Sequence, residues 1–167
     1  AHRLWTQSIK TIAVVDSYRP VNCPPAYVCV FVEVEVDTWT GNVRLVRAVT
    51  SGDAGTVINP DAAAGQLEGG ISRGAGFAIY ESNTWNDDGQ LSSKGYWIDA
   101  KTPGIMESPH LDDLQVFFAE TVVPSGPLGA KGLGEAASNP VAAAFANAIY
   151  NATGLRFHEL PITPEKL

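Results

Sequence analysis

The chain has 167 residues, enough for one domain with a packed core. Its 45% hydrophobic content comes with only 17% charged residues, below the roughly 25% usual for soluble domains, so part of the surface is expected to face a partner. Eighteen acidic against eleven basic residues give a net charge of −7, with the basic ones scattered, which argues against a nucleic-acid ligand. No apolar run approaches the length of a membrane span, and the opening Ala1-His2-Arg3-Leu4-Trp5 lacks the order of a signal peptide, so a soluble, cytoplasmic chain is expected. The start at Ala1 in place of Met leads us to expect a piece of a longer polypeptide.

Cys23 and Cys29 lie in an apolar stretch and are expected as buried free thiols, with a disulfide open as the alternative in an oxidising compartment. Two thiols cannot complete a thiolate metal site, and His2, His110 and His158 share no ligand spacing, so a protein-ligated metal is not expected. Tyr27 to Val36 is rich in β-branched residues and alternates at its end. With the turn Thr40-Gly41-Asn42 and the run Val43 to Val49, it predicts a β-hairpin whose Glu33, Glu35, Arg44 and Arg47 form solvated cross-strand pairs.

Asn59-Pro60-Asp61 reads as a helix start, with a cap, a proline at the first position and an acid in the first turn, and the helix is expected to reach about Glu81. It carries Gly65, Gly69, Gly70, Gly74 and Gly76, each costing up to about 1 kcal/mol relative to Ala. Such a cost points to close backbone approach, by another element or by a ligand. A second hairpin is expected around Asp87-Asp88-Gly89, pairing residues 80–85 with 90–96, then a loop from Trp97 to Asp113 and a strand at Gln115 to Glu120. A second helix spans Val141 to Thr153 and stops at Gly154. The pattern is one α+β domain, antiparallel hairpins packed with two main helices.

Between the last strand and the last helix lies Gly126-Pro127-Leu128-Gly129-Ala130-Lys131-Gly132-Leu133-Gly134-Glu135. A phosphate loop needs Gly-Lys-Ser/Thr, which Ala130-Lys131-Gly132 does not supply. Gly132 to Ala137 fits the loose dinucleotide pattern G-x-G-x-x-A, yet lacks a preceding βαβ strand, and Glu135 would repel a pyrophosphate. The same acid suits proton transfer, as a buried carboxylate held on a rigid, glycine-fitted loop, with an incidental acid on a structural turn as the other reading.

That loop, the run Gly65-Gln66-Leu67-Glu68-Gly69-Gly70, the preceding Val57-Ile58-Asn59-Pro60 and the ending Leu160-Pro161-Ile162-Thr163-Pro164-Glu165-Lys166 occur in one order. Together they resemble the molybdenum-binding subunit of the xanthine dehydrogenase and aldehyde oxidase family, from about Tyr27 to Leu167. The resemblance implies a single domain over 1–167 that is the C-terminal portion of a larger molybdopterin-binding subunit. It implies Glu135 as catalytic base and Gln66, with Gly134 of the loop, at the pyranopterin cofactor, while Glu68 stays structural. The implied activity is hydroxylation of an aldehyde or N-heterocycle with water as oxygen source. The metal is held by the dithiolene of the cofactor, and electrons pass to [2Fe-2S] and FAD centres on partner domains or subunits. The rest of the molybdenum subunit would be a further partner, and Gln66 and Glu135 should share one face. A non-catalytic assembly subunit of the same complex is the alternative.

Overall fold

The computed structural model describes residues 14–17, 19, 22–92 and 101–167. A three-stranded sheet in the order β1 (Tyr27–Val36), β2 (Val43–Asp53), β3 (Leu114–Phe118) packs with two helices, α1 (Pro60–Ala75) and α2 (Val141–Thr153). The α+β class and both main helices agree with the expectation from sequence. The core is one cluster in which Val30, Leu45 and Ala48 of the sheet meet Ile71 and Ala75 of α1, Val141, Phe145 and Ile149 of α2, and Ile162 of the C-terminal tail.

The first hairpin forms as predicted, and its loop is held by the Asp37 carboxylate, which accepts the N–H of Trp39 at 2.8 Å. Arg44 pairs with Glu35, and Arg47 Nη2 with Glu33 Oε2 at 2.7 Å, on the outer face. Two residues three apart on one strand cannot both face outward in a regular ladder, because side chains alternate. The register resolves this: Glu33 pairs with Arg47 and Val34 with Leu45, so Val46 is the extra residue of a β-bulge. The bulge turns Leu45 inward on one side of it and Ala48 and Thr50 inward on the other.

Other expectations are corrected. The third strand runs from Leu114 to Phe118, not Gln115 to Glu120, and lies parallel to β2, so the antiparallel first hairpin is part of a mixed sheet. Of the second hairpin, the described residues show the turn, with Gly89 at φ 76°, and a bridge from Trp85 to Leu91. Tyr80 belongs to the preceding helical run, and residues 93–96 of that hairpin, like 97–100 of the following loop, lie outside the described residues. Cys23 and Cys29 are free, as expected, but exposed. Alternation explains Cys29, since Val28 and Val30 take the inward positions of β1 and leave Cys29 on the outer face with Tyr27 and Phe31.

α1 begins as its sequence dictates, with Asn59 Oδ1 accepting the N–H of Ala62 at 3.0 Å. It ends in a π-helical turn, Gly76–Tyr80, closed by the N–H of Glu81 on the carbonyl of Gly76. The carbonyl of Ala78 in that turn accepts the N–H of Ile162 at 2.7 Å, which docks the C-terminal tail on the helix end. The glycines of α1 divide by face. A Cβ on Gly70 would collide with Ala137, and one on Gly74 with Val141, so these two bring the N-terminal end of α2 against α1. A Cβ on Gly65 or Gly69 would meet nothing within 4 Å.

The segments around the glycine-rich loop are tied by charge. Lys131 Nζ lies 2.5 Å from Asp53 Oδ2 and 3.2 Å from the carbonyl of Pro25, above the Tyr27 ring. The other oxygen of Asp53 accepts from Thr121 Oγ1 and from the N–H of Gly55. Side-chain exposure is 8% for Lys131 and 13% for Asp53, so the pair is nearly closed to water. The hydrogen bond from Lys131, then that from Thr121, hold the Asp53 carboxyl down at about 2, against the opposing effect of desolvation.

Two predictions follow from this packing. Gly74→Ala should destabilise the chain by about 1–3 kcal/mol through overpacking against Val141, whereas Gly65→Ala should stabilise it by up to about 1 kcal/mol through helix propensity. Urea unfolding of the two variants should shift the midpoint in opposite directions. For Asp53 the folded carboxyl is depressed below its unfolded value, so its contribution is complete above about pH 4. It is lost as pH falls through about 2. Unfolding of wild type and Asp53→Asn between pH 7 and 2 should show the variant less stable at neutral pH and the difference vanishing toward pH 2.

Candidate functional site

The glycine-rich loop lies alongside the segment that leaves β2. Gly55 and Ala130 form an antiparallel bridge, Thr56 N–H donates to the carbonyl of Gly129 at 2.9 Å, and Lys131 N–H donates to that of Ala54 at 2.8 Å. To make the turn, Leu128 and Gly129 both take positive φ, 54° and 83°, the first a rare conformation for a leucine. A Cβ on Gly126 would strike the carbonyl oxygen of Ala130, which is why glycine stands there.

Beyond Lys131 the chain crosses the exposed side of α1 before α2 starts. Gly134 reaches Gln66, whose Oε1 would lie 3.7 Å from a Cβ placed on Gly134. Glu135 Oε1 accepts from Arg73 Nη1 at 3.1 Å, and the main-chain carbonyl of Glu135 accepts from Ser138 N–H and Oγ at 3.3 and 3.2 Å. The backbone of Glu135 is thus fixed by the turn into α2, and its side chain lies over α1. Gln66 and Arg73 stand about two helical turns apart on the same stripe, together with Gly65 and Gly69. Glu68, roughly 200° round the helix from Gln66, is off that stripe.

Gln66, Gly134 and Glu135 are therefore brought to one face, the arrangement expected of residues that serve one cofactor. The expectation of a buried carboxylate fails within this chain, where the Glu135 side chain is 82% exposed. Between the loop and the start of α1 is a hollow of about 270 Å³, lined among others by Ala54, Val57, Ala62, Gln66, Lys131 and Leu133. Its lining mixes apolar residues with the polar Thr56, Asn59, Gln66 and Lys131. Among the described residues no three His, Cys, Asp or Glu side chains gather as metal ligands, and no helix is long and apolar enough to cross a membrane.

Sequence reasoning missed Arg73 and Asp53. Arg73 was within reach, since the spacing from Gln66 on a helix already places the two on one stripe. Asp53 carried no such signal, because its partner Lys131 is far along the chain and either charge reads alone as a solvated one.

Residues 4–109 match the molybdopterin cofactor-binding domain family, a stretch that takes in Gln66 and much of the N-terminal segment. The chain is 35% identical over 152 residues to the putative xanthine dehydrogenase molybdenum-binding subunit XdhA of Escherichia coli K12, across 91% of this chain and 20% of that protein. It is 39% identical over 140 residues to the aldehyde oxidoreductase molybdenum-binding subunit PaoC of the same organism, across 82% of this chain and 18% of that one. The crystal structure of the aldehyde oxidoreductase from Desulfovibrio desulfuricans ATCC 27774 superposes with a TM-score of 0.76 at 34% identity, covering 84% of this chain and 15% of that structure. The chain thus spans about a fifth of the length of the curated relatives it matches. By this match over most of its length, and with the α+β fold of its structural relative, the chain belongs to the molybdopterin cofactor-binding domain family.

Proposed function

We propose that this chain is the part of a molybdenum-dependent hydroxylase that supplies the catalytic base, Glu135, and one wall of the cofactor site. The observation that carries this reading is the meeting of Gln66, Gly134 and Glu135 on one open face from two distant segments. The residues present fit the cofactor. The stripe of α1 that faces them holds Gly65 and Gly69, whose missing side chains serve no contact inside the chain, and so leave room for a group arriving from outside it. Gln66 offers one acceptor and two donors, the set needed to hold the edge of a pterin ring.

When bound, the cofactor supplies the two-electron redox chemistry by which a substrate carbon gains oxygen from water. The chain's own residues do the rest. A Glu135 carboxylate oxygen takes the proton that the attacking oxygen must lose, and Gln66 orients the cofactor through its amide. Gly134 keeps the loop close enough to Gln66 for both to act on one group, and the Lys131–Asp53 pair holds the loop at that height. The remaining part of the molybdenum subunit covers the face and excludes water, and iron–sulfur and FAD centres on partner domains or subunits receive the electrons. The names of the relatives, xanthine dehydrogenase and aldehyde oxidoreductase, support an N-heterocycle or an aldehyde as substrate.

In the assembled enzyme, Glu135→Gln should keep fold and molybdenum content while slowing reduction of the metal by substrate about 10²–10⁴-fold, the usual worth of a general base. Reduction within about threefold of wild type would make Glu135 a structural carboxylate, the case of a non-catalytic assembly subunit included. Gly69→Val should act in the opposite sense, leaving the described fold intact but lowering the molybdenum bound per subunit, measured by elemental analysis of the purified assembly.

A further inference from the structure

We infer that Arg73 is the positioning residue for Glu135, an inference that rests on Glu135 being the base. Among the described residues Arg73 is the one cation within ion-pair distance of that carboxylate, with Nη1 3.1 Å from Oε1. The contact joins two segments that no backbone hydrogen bond links: Glu135 on the loop before α2 and Arg73 on the stripe of α1 that also carries Gln66. The guanidinium is itself braced, lying 5.4 Å from the centroid of the Phe77 ring one turn further along the helical run.

Stability does not account for the pair. With side chains 52% and 82% exposed, it belongs to the class of surface ion pairs that add little to folding. Its effect is on geometry. A glutamate has three side-chain torsions, and the turn into α2 fixes only the backbone of Glu135, through Ser138. Without a partner the carboxylate would sweep a wide arc of solvent; with Arg73 it is held over α1, on the side where Gln66 lies. A planar guanidinium donates along fixed directions, so it sets orientation better than a flexible ammonium would. Proton transfer requires the acceptor at hydrogen-bond distance from the donor, and small misplacements reduce rate far more than they reduce binding.

The test uses Arg73→Gln, with Arg73→Lys as the conservative variant. In the purified chain, carbodiimide coupling of a small amine to Glu135, followed by peptide mass spectrometry, reports how free the carboxylate is. Arg73→Gln should raise that rate severalfold, and Arg73→Lys less. In the assembled enzyme Arg73→Gln should slow reduction of the metal by substrate about tenfold or more, with KM little changed, as expected for lost orientation. Combined with Glu135→Gln, it should add no further loss, because its effect passes through that carboxylate. Unchanged labelling together with wild-type reduction would make Arg73 a solvated charge and overturn the inference. An equal loss in both backgrounds would overturn it too, showing that Arg73 acts on the cofactor or substrate directly. If Glu135→Gln alone reduces at the wild-type rate, the base assignment fails instead, while the labelling still reports whether Arg73 holds the carboxylate.

Discussion

The Lys131 ammonium and the Asp53 carboxylate meet almost out of contact with water, and four segments are tied at that point: the stretch before β1 through the Pro25 carbonyl, the end of β2, the stretch after β3 through Thr121, and the glycine-rich loop. A buried charge without its partner is strongly unfavourable, so neither group can leave alone. The loop needs such an anchor. It is too rich in glycine and proline to hold a shape by helix or ladder, and its turn sets Leu128 and Gly129 at positive φ. Two main-chain hydrogen bonds to Ala54 and Thr56 give it direction, and the ion pair gives it height.

From that anchor the candidate site follows by chain geometry. Four residues beyond Lys131 the chain has crossed α1, Gly134 faces Gln66, and Glu135 meets Arg73. α1 works as a plate with two unlike faces. On one, Leu67, Gly70, Ile71, Gly74 and Ala75 are buried, with the glycines admitting Ala137 and Val141 to close contact. On the other, Gly65 and Gly69 leave bare backbone beside Gln66 and Arg73. Glycine is unfavourable in both places as a helix former, but the compensation differs: packing inside the chain for the first pair, and room for what arrives from outside for the second.

The fold was legible where local chemistry decided it. Alternation and a turn announced the first hairpin, an Asn-Pro-Asp start announced α1, and Gly154 announced the end of α2. It was illegible where distant segments decided. The bulge at Val46 arises because Glu33 and Arg47 pair outward while Leu45 and Ala48 must both point in, a compromise between two strands that neither strand shows alone. The parallel setting of β3 depends on where the chain returns after its long excursion.

For the site the division is similar. The sequence by itself determined the residue types and their order: the glycine-rich loop ending in Glu135, the Gly-Gln-x-Glu-Gly-Gly run with Gln66, and through them the family resemblance. Only the tertiary structure decided that Lys131 belongs to Asp53, that Glu135 lies exposed against Arg73, and that Gly134 comes up against Gln66. The physical reason is that an isolated charge or glycine has many acceptable environments, and its role is set by which partner the fold brings within a few ångströms, information held in long-range packing and not in local spacing.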